Sequence, residues 1–316
     1  MNASTETATT VIAEADPGGD RCDLHGAGRF APSPTGALHL GSLATAAASF
    51  LDARHRRSRW LLRIEDLDTA RVVPGAADAI LRTLEALGFA WDGPVTFQSQ
   101  RLELYQRAIT DLSAAGFAYP CSCTRRDIGA TDDVGGYAGT CRLLPAKPGP
   151  TSTRFRADLR PRAPFIDRLQ GLVDIDASAL GDPVIRRRDG LHAYQLAVVV
   201  DDADQGITDI VRGSDLLPST SWQRSLQAAL GLPEPSYTHL PLVCEPDGSK
   251  LSKSGRTIES PPGDADARRL LWRMLCLLRQ APPRELELAS VPELWDWAYR
   301  NWRLGALRGV ASLPAD

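Results

Sequence analysis

The sequence predicts an α/β protein, a doubly wound parallel sheet interrupted by an inserted α+β subdomain. Three observations carry that expectation. Short apolar strand-like runs alternate with longer helical runs on both sides of the chain, the pattern of βαβ units. Between them, residues 117–190 abandon the alternation and collect prolines, glycines and three cysteines. A length of 316 residues is enough for about two domains.

Residues 1–25 are rich in Thr, Ala, Asp, Glu and Gly without apolar periodicity, and read as a disordered tail. A first strand is expected around Gly28, ended by Pro32 and Pro34. After Gly36 a helix dense in alanine and leucine opens at His39 and runs to about Arg54. The second strand, from Trp60 to Ile64, runs into Glu65 and Asp66. Pro74 opens a helix whose Ala77, Ile80, Leu81, Leu84 and Leu87 share one face, closed by Gly88. Leu102, Tyr105, Ile109 and Leu112 mark a further helix that stops at Gly116. Residues 26–116 are thus expected to form the first half of a Rossmann-like domain.

Inside the insert, 117–190, the strand-like runs are Thr153 to Asp158 and Phe165 to Ile175. The alternating pattern resumes at His192 and fills residues 191–254. It places a strand at Ile207 to Val211, a helix near Ser219 and a strand at Thr238 to Val243. Residues 255–316 read as helical, with Leu271, Met274, Leu275 and Leu278 in one helix and Trp295, Ala298 and Trp302 in another.

Composition narrows the function. Hydrophobic residues are 43% and charged residues 24%, the balance of a globular protein. Thirty-six basic against 39 acidic residues exclude a histone-like polycation, so nucleic-acid contact would need a local basic face. Six cysteines are too few for a secreted disulfide scaffold. The longest apolar run, Leu196 to Val200, meets Asp201 and Asp202 well short of the ~20 residues of a membrane helix. The N-terminus lacks a signal-peptide pattern. A reduced, cytoplasmic protein with no membrane partner is expected.

Two segments suggest phosphate chemistry. The loop from Arg29 to Ser42 joins a strand to a helix, at the end of a doubly wound sheet where ligands bind. A helix N-terminus there offers unpaired N–H groups and partial positive charge. His39 can donate to a phosphate, and Gly41 lets a flat base lie against the helix. A capped turn accounts for the same residues, so this loop alone leaves both readings open. The second segment is Lys250-Leu-Ser-Lys253-Ser. Lysine occurs only three times in the chain, and two copies sit here. Compact ammonium groups suit charge developing on a phosphate, although a solvated basic loop is the alternative.

Cys121, Cys123 and Cys141 place three thiols within 21 residues, the pattern of a zinc site. No Cys or His is in reach for the fourth position, leaving open unmetallated cysteines or three thiolates with water. Cys22, Cys244 and Cys276 have no partners by spacing.

In order along the chain, Ala31-Pro-Ser-Pro-Thr-Gly36 with His39-Leu-Gly41, Leu61-Leu-Arg-Ile-Glu65-Asp-Leu-Asp68, and Lys250-Leu-Ser-Lys253-Ser resemble class I aminoacyl-tRNA synthetases of the glutamyl type. The resemblance runs from about Gly28 to Ser254. Ser42 departs from it, since the family signature often ends in a second histidine. Residues 194–202 and 206–215 are similar to a truncated paralogue in that family. The 62 residues after Ser254 are too few for the family's helical anticodon-binding portion.

The resemblance implies ATP-dependent activation of L-glutamate to glutamyl-adenylate without tRNA. It also implies transfer of the glutamate to the cyclopentene-diol of queuosine, at the wobble position of tRNA(Asp). Arg29, Phe30, Ala31, Pro32, Ser33, Glu65, Tyr194 and Arg212 match glutamate-binding positions, Glu65 for the α-ammonium and Arg212 for the γ-carboxylate. His39, Gly41, Ser42, Lys250 and Lys253 match ATP-binding positions, with His39 and Lys253 in catalytic roles and Mg²⁺ accompanying ATP. One structural zinc ion on Cys121, Cys123, Tyr137 and Cys141 follows from the same resemblance. Arg125, Arg126, Arg142, Arg154, Arg156, Arg160, Arg162, Arg168 and Arg186 to Arg188 could meet tRNA phosphates, although an arginine-biased chain would put many there anyway. Three rivals compete: a full glutamyl-tRNA synthetase, another nucleotidyltransferase with the His-x-Gly helix start, and a non-catalytic tRNA- or zinc-binding module.

Overall fold

A computed structural model describes residues 26–128, 137, 139–143, 147–160, 162–245, 257–258 and 261–315. The chain enters through β1 (Ala27–Phe30), α1 (Leu40–His55), β2 (Arg59–Ile64), α2 (Ala76–Ala86), β3 (Thr96–Phe97) and α3 (Leu102–Ala114). The insert follows with β4 (Ala118–Cys121), α4 (Arg125–Ile128), β5 (Ser152–Phe155), β6 (Phe165–Asp167), β7 (Gly171–Val173) and β8 (Val184–Arg186). The chain then returns through α5 (Tyr194–Asp204), β9 (Asp209–Gly213), α6 (Leu217–Leu230), β10 (Ser236–Leu240) and β11 (Leu242–Cys244). Beyond these lie α7 (Asp264–Leu277), α8 (Val291–Asn301) and β12 (Ser312–Pro314).

The central sheet has the order β10-β9-β1-β2-β3, with every neighbouring pair parallel. Chain order reverses between β1 and β9. At such a switch point the loops leaving two adjacent strands part in opposite directions and open a crevice at their carboxyl ends.

α1 fills the space beside that crevice. Leu40, Leu43, Ala44 and every residue from Ala46 to Ala53 are buried. Its alanines keep the helix slim enough to be enclosed by β1 and β9 on one side and by α7 and α8 on the other. Phe50, Trp60, Phe89 and Trp295 join these layers through ring contacts of 4.9–5.6 Å between centroids. Trp295 Nε1 also donates to the Leu87 carbonyl at 2.8 Å. Gly88 ends α2 with φ +75°, and a Cβ there would lie 2.7 Å from Val291 Cγ1. Both its conformation and its neighbours require glycine. The C-terminal helices therefore share one core with the sheet.

The structure departs from the sequence expectation in three places. The strand expected from Thr238 to Val243 breaks at Pro241, which has no N–H for a ladder. β10 stays in the main sheet, while β11 leaves it and pairs in parallel with β12. The last segment is therefore not wholly helical, because its final described residues form a strand whose partner lies far away in sequence. In the insert, the first run is a strand only to Phe155 and then a single 3₁₀ turn. The second run, Phe165 to Ile175, folds into the β6–β7 hairpin. That hairpin leans on the main sheet rather than on the antiparallel β4-β5-β8 sheet, and the Arg168 N–H donates to the Tyr237 carbonyl at 2.9 Å. Among the described residues no helix is long and apolar enough to cross a membrane.

Candidate active site

A cavity of about 500 Å³ opens at the carboxyl ends of β1 and β9, within the ordinary range for small-ligand sites. Arg29, Phe30, Ala31, Pro32, Ser33, His39, Gly41, Ser42, Glu65, Tyr194 and Arg212 all line it. These are every described residue that the sequence places in an amino-acid or nucleotide site. Lys250 and Lys253 lie outside the described residues.

One end of the cavity is the N-terminus of α1. His39 is the N-cap in extended conformation, and its Nδ1 accepts from the Ser42 N–H at 3.1 Å. Ser42 Oγ lies 3.0 Å from His39 Nε2. The ring thus engages its own helix start, a capping role beyond the phosphate contact expected from sequence. No acidic residue occupies the first turn, which leaves the positive end of the helix uncompensated. A Cβ on Gly41 would sit 3.1 Å from the His39 ring and 3.4 Å from Val243 Cβ. Glycine therefore lets both close on the helix start. After Glu245 the described chain resumes at Thr257, which bridges to His39 in antiparallel fashion. The adjacent Ile258 N–H donates to the Leu38 carbonyl at 2.9 Å.

The other end is built from buried charges. Arg29 places Nε and Nη2 on the two oxygens of Asp202, at 3.2 and 3.4 Å. Arg63, fully buried, donates to Asp202 Oδ1 at 2.8 Å and to Gln205 Oε1 at 2.5 Å. Burial alone would raise the Asp202 carboxyl, but the Arg29 and Arg63 guanidiniums outweigh it and hold it low. Glu65, which directly follows β2, has a buried Oε1 with no hydrogen-bond partner among the described residues. Burial pushes its carboxyl up to about 7, against the pull of Arg63 and Arg29. A buried carboxylate oxygen left open on a cavity wall suits a cationic ligand group. Arg212, 4% exposed, closes this end and donates from Nη1 to Tyr194 Oη at 3.3 Å.

Sequence reasoning missed Arg63, Asp202, Asp167 and His239 as parts of this site. The signal for Asp202 was present: two adjacent carboxylates, Asp201 and Asp202, end an apolar helical run, where they can stay buried only by meeting cations. Nothing local marks Asp167 or His239, which act from the hairpin and from β10.

A second cluster lies in the insert. The ligand sulfurs of Cys121, Cys123 and Cys141 all lie within 4.8 Å of one another, with 3.5 Å between Cys123 and Cys141. Tyr137 Oη stands 3.4 Å from Cys121 Sγ and 3.7 Å from Cys123 Sγ. Metal–sulfur bonds of about 2.3 Å give tetrahedral edges of roughly 3.8 Å, so this set is sized for one ion. The Arg154 guanidinium lies 4.0 Å over the Tyr137 ring; burial and the neighbouring thiols push the free phenol up, so a phenolate ligand here would need the metal itself. Cys244 and Cys276 stand apart from the cluster.

The arginines of the insert are largely engaged within the protein. Arg142 holds Asp182 at 2.6 and 2.7 Å, Arg156 holds Asp158, Arg162 holds Glu234 and Arg168 holds Asp52. Arg154 and Arg188 donate to backbone carbonyls, and Arg187 pairs with Asp68 and Asp189. Several of the arginines expected to meet RNA thus also pair within the insert or tie it to the rest of the protein.

Comparison with known proteins agrees with this geometry. Residues 27–296 match the family model described as tRNA synthetases class I (E and Q), catalytic domain. A glutamyl-Q tRNA(Asp) synthetase of Aromatoleum aromaticum is 51% identical over 283 residues, covering 88% of this chain and 89% of that protein. Its counterpart in Pseudomonas aeruginosa is 49% identical over 296 residues, 92% of this chain and 97% of the other. Among solved structures, a glutamate tRNA ligase of Elizabethkingia meningosepticum in complex with its amino acid superposes with a TM-score of 0.75. It is 27% identical and covers 92% of this chain and 67% of that one.

Proposed function

The chain belongs to the class I tRNA synthetases for glutamate and glutamine, within their glutamyl-Q tRNA(Asp) synthetase branch, and on that premise we propose that it activates L-glutamate with ATP in the absence of tRNA and passes it to queuosine at the wobble position of tRNA(Asp). It is a ligase that uses ATP and transfers glutamate. The observation that carries the finer reading is the two-ended cavity: an uncompensated helix N-terminus at one end, the open Glu65 oxygen and Arg212 at the other.

The two ends suit the two substrates. Glu65 receives the α-ammonium and Arg212 the γ-carboxylate, while Arg29 and the turn from Phe30 to Ser33 frame the α-carbon. A guanidinium aimed at that side chain rejects glutamine, whose amide cannot satisfy both N–H groups. The α-carboxylate is itself the nucleophile. It bonds to the α-phosphorus of ATP as pyrophosphate leaves, so the protein's task is positioning and charge stabilisation. His39, Gly41 and Ser42 hold ATP at the start of α1. Lys250 and Lys253 supply ammonium charge to its phosphates, and Lys253 lies four residues before Thr257, a covalent reach of about 14 Å. Mg²⁺ accompanies ATP and shields its phosphates. A queuosine hydroxyl then attacks the activated carbonyl and AMP departs. One zinc ion on Cys121, Cys123, Tyr137 and Cys141 ties the insert together and takes no part in the chemistry.

The test has two stages. L-Glutamate should drive ATP–pyrophosphate exchange without any tRNA; an absolute requirement for tRNA overturns the first claim. Labelled glutamate should then enter tRNA(Asp) that carries queuosine but lacks its 3′-terminal adenosine. Labelling only of intact 3′ ends overturns the second.

A further inference from the structure

Behind Arg212 lies a chain of buried polar groups that the reaction itself does not use. Asp167, His239 and Thr220 are all buried, the latter two with no exposed surface. Asp167 Oδ1 accepts the N–H groups of Leu169 and Gln170, both at 2.9 Å, which fixes the carboxylate in the turn of the β6–β7 hairpin. Its Oδ2 lies 2.7 Å from His239 Nδ1. Arg212 Nε lies 3.1 Å from His239 Nε2.

Proton counting settles who donates. Arg212 can only donate, so His239 Nε2 must present its lone pair. The imidazole proton therefore sits on Nδ1 and points to Asp167. Thr220 Oγ1 accepts from Arg212 Nη2 at 2.7 Å; its own hydrogen has the Leu216 carbonyl at 3.2 Å and His239 Nε2 at 3.0 Å to choose from, and either choice leaves Nε2 an acceptor. Tyr194 Oη takes one hydrogen from Nη1. A guanidinium carries five N–H groups. Three are spent on His239, Tyr194 and Thr220, which leaves, among the described residues, one N–H on each terminal nitrogen. Two N–H groups on the terminal nitrogens are what grips a carboxylate by both oxygens.

We propose that His239, held in one tautomer by Asp167, is a positioning residue for substrate selection: it fixes the plane of Arg212 so that the two unspent N–H groups form a fork for the substrate's side-chain carboxylate. The inference rests on Arg212 reading that side chain, as set out above. Asp167→Asn is the informative change. Its oxygen can keep the bonds to Leu169 and Gln170, but its amide N–H then faces His239 Nδ1. The imidazole must switch its proton to Nε2, against Arg212 Nε–H, and the fork loses its brace.

ATP–pyrophosphate exchange across a glutamate series reads the effect. Asp167→Asn and His239→Leu should raise the KM for glutamate about 10- to 100-fold, leave the KM for ATP within about twofold, and narrow the preference for glutamate over glutamine. His239→Gln, whose Oε1 can restore an acceptor near the Nε2 position, should recover most of the loss. Equal glutamate KM values for His239→Leu and His239→Gln overturn the proposal, as does a matching rise in the KM for ATP. Arg212→Ala is the control: if it leaves the glutamate KM unchanged, the side-chain reading falls; if it raises that KM while Asp167→Asn and His239→Leu do not, only the positioning role falls. Should Asp167→Asn fail to fold, the His239 pair decides alone.

Discussion

Glu65 Oε1 stands 3.7 Å from Arg63 Nη2, while Asp202 Oδ1 takes the same nitrogen at 2.8 Å. Glu65 follows directly on the end of β2, close enough to Arg63 that the guanidinium could have served it. Asp202 claims it instead and also binds Arg29. Two buried cations thus share the Asp202 carboxylate, with Asp201 3.7 Å from Arg63 Nε, and Glu65 Oε1 is left without a hydrogen bond among the described residues. On the proposed reading, the substrate's α-ammonium is the donor that this oxygen lacks.

A pH dependence of binding follows. Burial holds the Glu65 carboxyl at about 7 in the free protein, so below that pH it is protonated and cannot pair an ammonium. The KM for glutamate in ATP–pyrophosphate exchange should therefore rise as pH falls below about 7, by up to tenfold per pH unit. Glu65→Gln should bind glutamate weakly at every pH and lose the slope. A flat wild-type profile from pH 5.5 to 8 would contradict the role given to this carboxyl.

The same group makes a stability statement. Its folded-state pKa lies above the unfolded value, so the folded protein holds a proton that the unfolded chain releases between about 4.5 and 7. Stability conferred by the neutral carboxyl is complete below that window and lost as pH rises through it. The loss amounts to at most about 3 kcal/mol. Glu65→Gln, always neutral, should unfold at higher denaturant concentration than wild type at pH 8, with the gap closing toward pH 4.5. A gap that stays constant with pH would remove the electrostatic explanation.

The carbons of this fold were easier to read from sequence than its charges. Helix faces such as Ile80, Leu84 and Leu87 follow from periodicity, because burial of one stripe is a local property. The loop from Arg29 to Ser42 was legible because prolines, glycine and a helix start stand together in sequence. By contrast, β12 joins β11 across about 70 residues, and only tertiary pairing decides that Ser312–Pro314 is extended. The Asp202 network assembles residues from β1, β2 and α5, and Asp167 reaches His239 from an insert whose local pattern suggests a separate unit. Partners distant in sequence leave no periodic trace, so the support of the site was hidden even where its lining was plain.

Asp202 itself should be costly to lose. Asp202→Ala leaves Arg29 and Arg63 buried with their shared carboxylate gone. Removing one partner of a buried ion pair costs about 3–5 kcal/mol, and here two cations share the loss. Thermal unfolding should shift down by several degrees, and the KM for glutamate should rise as Arg29 loses its anchor. An unchanged melting temperature would show that water or Glu65 compensates fully and that the network adds nothing to stability.

Metal removal should separate the two halves of the reaction. Apart from the cysteines, the described buried residues of this cluster are Tyr119 and Tyr137, with Ile128 partly buried beside them. Three cysteine sulfurs within 4.8 Å of one another could hold an ion that staples this end of the insert. Yet no described residue of 117–190 lines the cavity at β1 and β9. Purified protein should hold about one zinc per chain, and Cys123→Ser or chelation should release it. Loss of the metal should leave glutamate-dependent ATP–pyrophosphate exchange within about twofold while transfer to tRNA falls at least tenfold, if the cysteine end of the insert serves the tRNA and only the β6–β7 hairpin, through Asp167, serves the amino-acid end of the cavity. Tyr137→Phe, which keeps the ring beneath Arg154 but removes the hydroxyl, should weaken zinc retention by about 10- to 100-fold with the same split. Exchange falling in step with zinc content would instead tie the metal to the catalytic core.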